Sequence, residues 1–386
     1  MSFLDFNFSH YDLGSSSYFY NYDGFAQYAN PPTNYLGTGL FLGYIALALV
    51  CTGWIMWDSW TRYDALIASP KSEKASANTK DESEKKEETP SQGLDIRNAR
   101  ARHIKIYAVL ASISFAMLSF HMLNFLIASY QQWNGGGSAD LSVEKMKSWM
   151  LETGLFESFA MELVDDGPST VWMQIGVMGI WFWGVWMSGK ANERAFSGRS
   201  MLPYILLSQI LPISFTAALF LIHLHLSSPD LASTAPEPAL EKTTTATTRS
   251  SHTSPETHPV PLSLHPIHRK TSLLLPTILL NAVLLSIAPL RQHRLFIPLV
   301  LFTRIMLLLP FTGRISTRSV EMKRSMFVSW GFLVANLMVL LKGYQLGDVF
   351  AVLRGGQFGG SAVRALGWDA IMGCVLERVV GWGGGV

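Results

Sequence analysis

The chain has 386 residues, of which 49% are hydrophobic and only 15% are charged, and its formal net charge is +2. Soluble domains usually have about 25% charged residues, so this composition favours a protein of the lipid bilayer. The small net charge gives no electrostatic support for a nucleic-acid partner, and no pattern in the sequence predicts a protein partner. The two cysteines, Cys51 and Cys374, lie in apolar runs and match neither a disulfide framework nor a zinc site.

The first 35 residues are rich in aromatic side chains and contain no Lys or Arg. Tyr and Trp rings settle at membrane–water interfaces, so we expect residues 1–35 to lie at the membrane surface. This stretch lacks the basic n-region of a secretory signal peptide. We therefore expect the first apolar run, 36–57, to act as its own signal anchor.

Four apolar runs between residues 36 and 226 predict a first membrane half. Three of them, 36–57, 106–128 and 201–226, contain no charged residue over 22, 23 and 26 positions. Each is longer than the roughly 18 residues that suggest a spanning helix. The fourth run, 171–187, reads VWMQIGVMGIWFWGVWM and is rich in tryptophan. We expect one spanning helix from each run.

Two other segments of this first half are not expected to span. Residues 68–95 mix acidic and basic residues with few apolar ones, so they predict a disordered linker. Residues 141–164 place Met146, Trp149 and Phe156 on one side of a helix. That pattern is typical of a helix that lies along the membrane surface.

The rest of the chain predicts a long loop and a second membrane half. Residues 227–272 are rich in Thr, Ser and Pro, which predicts disorder. The second half, 273–386, contains shorter apolar runs at 273–290, 295–311 and 325–341, and a weaker candidate near its end. The predicted fold is an all-α, polytopic membrane bundle with about seven or eight transmembrane helices.

The distribution of basic residues predicts an orientation, but only for the first half. The loop after the third run holds Lys190, Arg194 and Arg199, so the positive-inside rule places it in the cytosol and the N-terminus in the lumen, most simply of the endoplasmic reticulum. Strict alternation then places four basic residues on the lumenal side, against the rule: Arg314, Arg318, Lys323 and Arg324. Either one run after residue 270 does not span, or this region is unusual.

Asp369 is the first candidate for chemistry, because an ionisable group inside a bilayer needs a partner or a function. It lies beside Trp368 in the last apolar run. A protonated carboxylic acid in an apolar pocket can act as a general acid at neutral pH. The alternative is a structural role, in which Asp369 caps its own helix or pairs with Arg364 or Arg304.

Glu157 is the second candidate, in a stretch with four carboxylates just before the tryptophan-rich run. It lies on the shoulder of the apolar stripe of 141–164, so it faces either a polar cavity or solvent. Asp165 and Asp166 are explained as a turn and a helix start. A DDxxD magnesium motif fails because Ser169 occupies its last position, so no metal or cofactor is predicted.

Polar and aromatic side chains within the predicted spans are candidates for ligand binding. Trp172 and Trp181 either pack in the bundle or offer π faces to a cation. Gln174 either bonds to another helix or contacts a ligand. His121 and Asn124 lie three residues apart, hence on one side of the second helix.

Several stretches resemble the integral-membrane terpene cyclases of fungal meroterpenoid pathways, the family of the ascochlorin, ascofuranone and macrophorin cyclases. They are SFHMLNFLIASY, LFESFA with WMQIGVMGIWFWGVWMSG, LPYILLSQILPISFTAALFLI and ALGWDAIMG. The resemblance covers roughly 15–226 and 326–372, whereas 228–325 departs from the family pattern.

This resemblance implies an enzyme that protonates a terminal alkene or epoxide of a farnesyl-bearing, hydrophobic small molecule. The resulting cation closes one or more rings and loses a proton, without a metal. Asp369 or Glu157 would be the acid, Trp172 and Trp181 would stabilise the cation, and Gln174 would anchor the substrate. The alternatives are a multi-pass transporter and a non-catalytic membrane scaffold.

Overall fold

The computed structural model describes residues 34–77, 90–135, 142–210, 212–227, 270–341 and 360–384. These residues form eleven α-helices, and their only extended pairing is an isolated bridge between Thr271 and Ile315. The prediction of an all-α fold is therefore confirmed. The predicted interfacial segment and most of the predicted loop 227–272 lie outside the described residues.

The helices are numbered in chain order. The first six are α1 (Tyr35–Ala77), α2 (Pro90–Trp133), α3 (Val143–Glu152), α4 (Leu155–Glu162), α5 (Gly167–Glu193) and α6 (Gly198–Ile210). The other five are α7 (Ile213–Leu226), α8 (Leu274–Ile287), α9 (Phe296–Met306), α10 (Ser319–Leu341) and α11 (Ser361–Val379). A 3-10 turn, Leu309–Thr312, follows α9, and a π-helical turn, Val380–Gly384, follows α11.

Within the described ranges, two helices are long and apolar enough to cross a membrane by themselves. The qualifying stretches are Tyr35–Ala65 in α1 and Asn98–Trp133 in α2. Both keep most of their surface outside the protein core, and Trp57 of α1 is 75% exposed. This arrangement is compatible with membrane association. Both helices also extend into the predicted linker 68–95, whose lysines and glutamates are good helix formers.

Helix α5 is the centre of the bundle, and α7, α10 and α11 all pack against it. It runs parallel to α11, because Gly176 contacts Leu366 and Gly373 contacts Trp183 in the same order along both helices. A Cβ atom on Gly176 would overlap the side chain of Leu366, so the close approach of the two helices requires glycine there. Small residues allow this kind of close packing between helices.

The run 201–226 does not form the single helix that its length predicts. It is divided between α6 and α7, which fold back on each other as a hairpin. Ser200 near the start of α6 lies 3.4 Å from Nε2 of His223 near the end of α7. Pro212 explains the break, since proline has no N–H to donate and disfavours helical geometry in the residue before it.

Helices α8 and α9 form a second hairpin. Thr271, just before α8, accepts a hydrogen bond from the N–H of Ser316 and donates its own N–H to the carbonyl of Arg314, each at 2.9 Å. At the other end of the hairpin, Arg291 pairs with Asp165 before the start of α5. Helix α8 therefore lies alongside α5 for most of the length of α8, and α9 runs back toward Thr271.

The helix termini gather at two ends of the bundle. The first, which we call the Asn34 end, contains the starts of α1, α5 and α11, the end of α2, and helices α3 and α4. Here Asn34 donates its backbone N–H to the carbonyl of Leu151, at 3.0 Å, and Trp133 donates to Glu152, at 2.8 Å. The turn between α8 and α9 also lies at this end, next to Asp165.

The second end, which we call the Asp58 end, contains the last apolar turns of α1 and the starts of α2, α6, α8 and α10. Asp58 lies 3.6 Å from Nδ1 of His223, and Arg62 donates to Ser227 at 3.2 Å. Glu321 of α10 accepts from the N–H of Leu273 before α8, at 2.9 Å. The α6–α7 hairpin therefore enters and leaves at the Asp58 end.

Glu162, at the end of α4, caps the start of α11. Its carboxylate accepts the N–H of Ala362 at 3.0 Å, and a Cβ atom on Gly360 would overlap it. The first N–H groups of a helix have no partner within the helix, so this bond satisfies one of them. Burial, its largest influence, raises the pKa of Glu162, although the bond to Ala362 and the charge of Arg364 oppose the rise.

We expect Glu162→Ala to lower the free energy of unfolding by about 1 kcal/mol, since it removes a helix cap. Glu162→Gln keeps an acceptor oxygen and should cost much less. Because the pKa is raised on folding, ionisation of Glu162 opposes folding. The native protein should therefore lose stability relative to Glu162→Gln as pH rises from the ordinary pKa of 4.5 through the raised one. Thermal unfolding in detergent across that range measures both effects, and equal losses in the two variants would contradict the cap.

Candidate functional site

Asp369 lies in the third turn of α11 and is only 6% exposed. Its carboxylate accepts three hydrogen bonds from the start of α7. Oδ2 accepts the N–H of Ile213 at 3.0 Å, and Oδ1 accepts the N–H of Ser214 at 2.9 Å and the Ser214 hydroxyl at 2.6 Å. The carboxylate thus caps a neighbouring helix, whereas the structural alternative expected a cap on its own helix or an arginine partner.

Arg304 of α9 plays the matching role at the end of α6. Its guanidinium donates a hydrogen bond to the carbonyl of Gln209, at 3.1 Å. A helix has partial positive charge at its N-terminus and partial negative charge at its C-terminus. The tip of the α6–α7 hairpin is therefore compensated on both sides, by a cation at the end of α6 and by Asp369 at the start of α7.

A chain of hydroxyl groups extends from Asp369 to α2. Oγ of Ser214 lies 2.6 Å from the carboxylate and 2.9 Å from Oγ of Ser114. A hydroxyl has one proton to donate. If Asp369 is ionised, Ser214 donates to it and Ser114 donates to Ser214; if Asp369 is protonated, the whole chain can reverse. Ser114 lies near the middle of the apolar stretch of α2, so this chain is deep within the bundle.

A narrow cleft adjoins Asp369 between α2, α7 and α11. Its walls include Met117 and Leu118 of α2, Trp368 and Met372 of α11, and Pro212 at the hairpin tip. The space between these walls, counted together with its opening to the surface, is about 170 Å³ and is nowhere wide enough for a water molecule. Asp369 therefore faces apolar and aromatic groups in a closed site.

Glu157 is not brought into this site. Its side chain is exposed and lies back over Gly154 at the start of α4, and it does not line the cleft beside Asp369. The acid of this stretch that contacts α11 is Glu162, which is half-buried at the Asn34 end. Its contact with α11 joins residues 200 positions apart, so no local pattern indicates it.

Trp181 and Gln174 belong to a different interface, where α5 meets α8 and α10. Trp181 is completely buried and donates its indole N–H to Thr277 at 3.1 Å. Gln174 donates to Asn281 at 3.3 Å and accepts from Asn336 at 3.0 Å. Such satisfied polar networks stabilise contacts between membrane helices. Trp172, also on α5, is half-buried and is likewise absent from the cleft beside Asp369.

His121 and Asn124 lie further along α2, toward the Asn34 end. His121 is seven residues after Ser114, which places both on the same face of the helix. It is only 6% exposed, whereas Asn124 is half-buried. Of the predicted ligand-binding residues, His121 is thus the one that shares a helix face with the site around Asp369.

The described residues contain no group of three His, Cys, Asp or Glu side chains that could hold a metal ion. Comparisons with known proteins add no assignment, since no protein-family model, curated protein or solved structure matches the chain. The resemblance to the membrane terpene cyclases therefore remains a prediction based on the stretches quoted above. What the structure contributes is the geometry around Asp369.

We expect Asp369→Ala to destabilise the protein by about 2–4 kcal/mol, because it leaves two buried backbone N–H groups without an acceptor. Ser214→Ala removes only a hydroxyl donor and should cost about 1 kcal/mol. Glu157→Gln is the matched control at an exposed acid and should change stability by less than about 0.5 kcal/mol. Thermal unfolding of the detergent-solubilised protein ranks the three. Equal stability of Asp369→Ala and Glu157→Gln would show that the cap contributes nothing.

Proposed function

We propose that the chain is a polytopic membrane protein whose Asn34 end is lumenal and whose Asp58 end is cytosolic. The described basic side chains support this orientation. Thirteen of them lie at the Asp58 end, five lie at the Asn34 end, and Arg304 lies between. Cytosolic segments of membrane proteins are enriched in Lys and Arg, so the Asp58 end fits the cytosolic side.

The α6–α7 hairpin removes the conflict that strict alternation creates. Since it returns to the Asp58 end, the segment after it begins on the cytosolic side and α8 starts there. Helices α8 and α9 then run to the Asn34 end and return, which brings Arg314 and Arg318 to the cytosolic side. With 201–226 re-entrant, most of the described basic side chains in both halves of the chain lie on the cytosolic side, as the positive-inside rule expects. A re-entrant hairpin is tolerated in a membrane where protein buries it, and α7 is buried along its entire length.

This orientation can be tested with a glycosylation acceptor. Ala246→Asn creates an Asn-Thr-Thr site in the segment that follows α7. We expect it to stay unmodified, because that segment begins and ends at the cytosolic side, whereas a spanning helix at 201–226 would expose it to the lumen. The natural site at Asn7 is the matched control and should be modified in the same chains. Modification at residue 246, measured as a mass shift sensitive to deglycosylation, would overturn the re-entrant arrangement.

We further propose that the protein is a cyclase that acts on a prenylated, farnesyl-type small molecule. The observation that carries this proposal is Asp369, a carboxyl group buried at the centre of an apolar bundle, beside Trp368 and joined to a chain of two serines. A carboxylic acid in such surroundings can protonate a weakly basic carbon or epoxide oxygen.

In the proposed reaction, protonated Asp369 transfers its proton to the terminal alkene or epoxide of the substrate. The resulting cation is attacked by the next double bond, which closes a ring, and loss of a proton restores a neutral product. Substrate and product are isomers, so no oxidant or other reagent is consumed. Ser214 and Ser114 provide a hydrogen-bonded route by which the proton can return to Asp369. The face of Trp368 can stabilise the cation by roughly 0.5–2 kcal/mol.

The closed cleft sets a condition on substrate entry. It does not admit water, so a farnesyl chain can enter only if α2 and α11 separate. The absence of water in the closed site also protects a carbocation from premature capture. The indole N–H of Trp181 is hydrogen-bonded to Thr277 at another interface, so we assign the aromatic contact with the cation to Trp368.

A transporter is the second candidate, and the broken helix favours it. Many transporters bind substrates where discontinuous helices meet near the middle of the membrane, as α6 and α7 do at Pro212. A transporter would produce no cyclised isomer from a prenylated substrate. The cyclisation assay therefore separates the two functions.

The test is to incubate membranes containing the full chain with farnesylated phenols, with and without a terminal epoxide. We expect a product of unchanged mass and new retention time in chromatography coupled to mass spectrometry. Asp369→Asn should reduce its formation by at least about 100-fold, because it removes the acid. Glu157→Gln should retain native activity, since that side chain is outside the cleft.

Because Asp369→Asn also weakens the cap on α7, its folded fraction must be measured beside its activity. Arg304→Gln perturbs the other side of the same hairpin tip but leaves the acid and both serines, so it serves as the control for structural damage. Activity of Asp369→Asn per folded molecule equal to that of Arg304→Gln would exclude Asp369 as the acid.

A further inference from the structure

Two buried side-chain nitrogens between α2 and α11 have no hydrogen-bond partner among the residues that the structure describes. They are Nε2 of His121 and Nε of Arg364. His121 is 94% buried as a residue, and the Arg364 side chain is partly buried. Buried polar atoms in proteins are almost always hydrogen-bonded, so two neighbouring exceptions indicate a missing acceptor.

The two side chains are placed to act together. Helices α2 and α11 pack against each other. The positive charge of Arg364 lies within electrostatic range of the His121 imidazole ring. Glu162 also lies within the electrostatic range of Arg364, but its carboxylate is bonded to the N–H of Ala362. The guanidinium Nε–H has no acceptor among the described residues, so it is available to an additional oxygen atom.

Their position relates directly to the cleft. Arg364 precedes Asp369 by five residues on α11, and His121 follows Ser114 by seven residues on α2. With a rise of 1.5 Å per residue, both lie about 8–10 Å from the Asp369 site along the helix axes, on its Asn34 side. Arg364 and Asp369 are about 140° apart around α11, with Trp368 between them. A ligand that lies against α2 and crosses the Trp368 face of α11 would contact His121 and Arg364 at one end and Asp369 at the other.

We propose that His121 and Arg364 bind the oxygen-bearing aromatic headgroup of the substrate, while its prenyl tail extends to Asp369. This assignment rests on the proposed function. Arginine offers only donors, and the imidazole can donate from Nε2, so the pair matches acceptor oxygens such as phenol, carbonyl or carboxylate groups. Binding the headgroup at this distance places the far end of the tail, where protonation begins, at the acid.

Equilibrium binding to the full chain in lipid nanodiscs tests the assignment. The two probes are a farnesylated phenol and farnesylbenzene, which lacks the oxygen. We expect the native protein to bind the phenol about 10- to 100-fold more tightly, the range expected for hydrogen bonds to a charged group. Arg364→Gln and His121→Phe should each reduce the affinity for the phenol and leave that for farnesylbenzene unchanged.

Arg378→Gln is the matched control, since it removes an arginine from the other end of α11 and should affect neither probe. Equal affinity of the native protein for the two probes would overturn the proposal and would mean that only water occupies the site. This comparison needs no variant, so it holds even if a substitution prevents folding. A preference for the phenol that depends on Arg364, without any cyclised product, would keep the headgroup site and reject the cyclase.

Discussion

The arrangement of the bundle depends on how the break at Pro212 is stabilised. A helix that stops inside an apolar bundle leaves N–H and C=O groups without partners, and their burial costs several kcal/mol each in hydrocarbon. Here Asp369 accepts from the start of α7 and Arg304 donates to the end of α6. The two charges come from different helices, so α9 and α11 hold the hairpin tip between them. Without these caps, the apolar run 201–226 has no reason to turn back.

This single turn determines the path of everything that follows it. Because α6 and α7 return to the Asp58 end, α8 starts there, and the basic segment around Arg314 reaches the same end after the α8–α9 hairpin. The hairpin also places Asp369, Ser214 and Ser114 together within the bundle, between apolar walls. The carboxyl group that caps α7 is thus also the candidate general acid. Structure and proposed chemistry share Asp369, which is why stability and activity must be measured together.

The sequence could predict the features that depend on local composition. The apolar runs predicted the helical class, and each end of α5, α8, α9 and α10 lies within six residues of the end of its run. The position of Asp166 at the start of α5 could also be predicted from neighbouring residues, and its side chain does accept a hydrogen bond from the N–H of Ser169. Pro212 indicates a break in the run 201–226, although the length and hydropathy of that run predict one continuous helix. By contrast, the contacts of Glu162 and Trp181 join residues about 100 to 200 positions apart, and nothing in their neighbourhood encodes the partner.

The sequence by itself therefore determined that this is an all-α, apolar chain with Asp369 as a conspicuous buried acid. Burial tendency and helix length follow from side-chain hydrophobicity and residue order, which are properties of short segments. Only the tertiary structure decided that Asp369 caps α7, that Glu157 stays exposed while Glu162 caps α11, and that nitrogens of His121 and Arg364 are buried without a partner among the described residues. Those outcomes depend on which helix faces are neighbours, and that is settled by packing of the whole bundle.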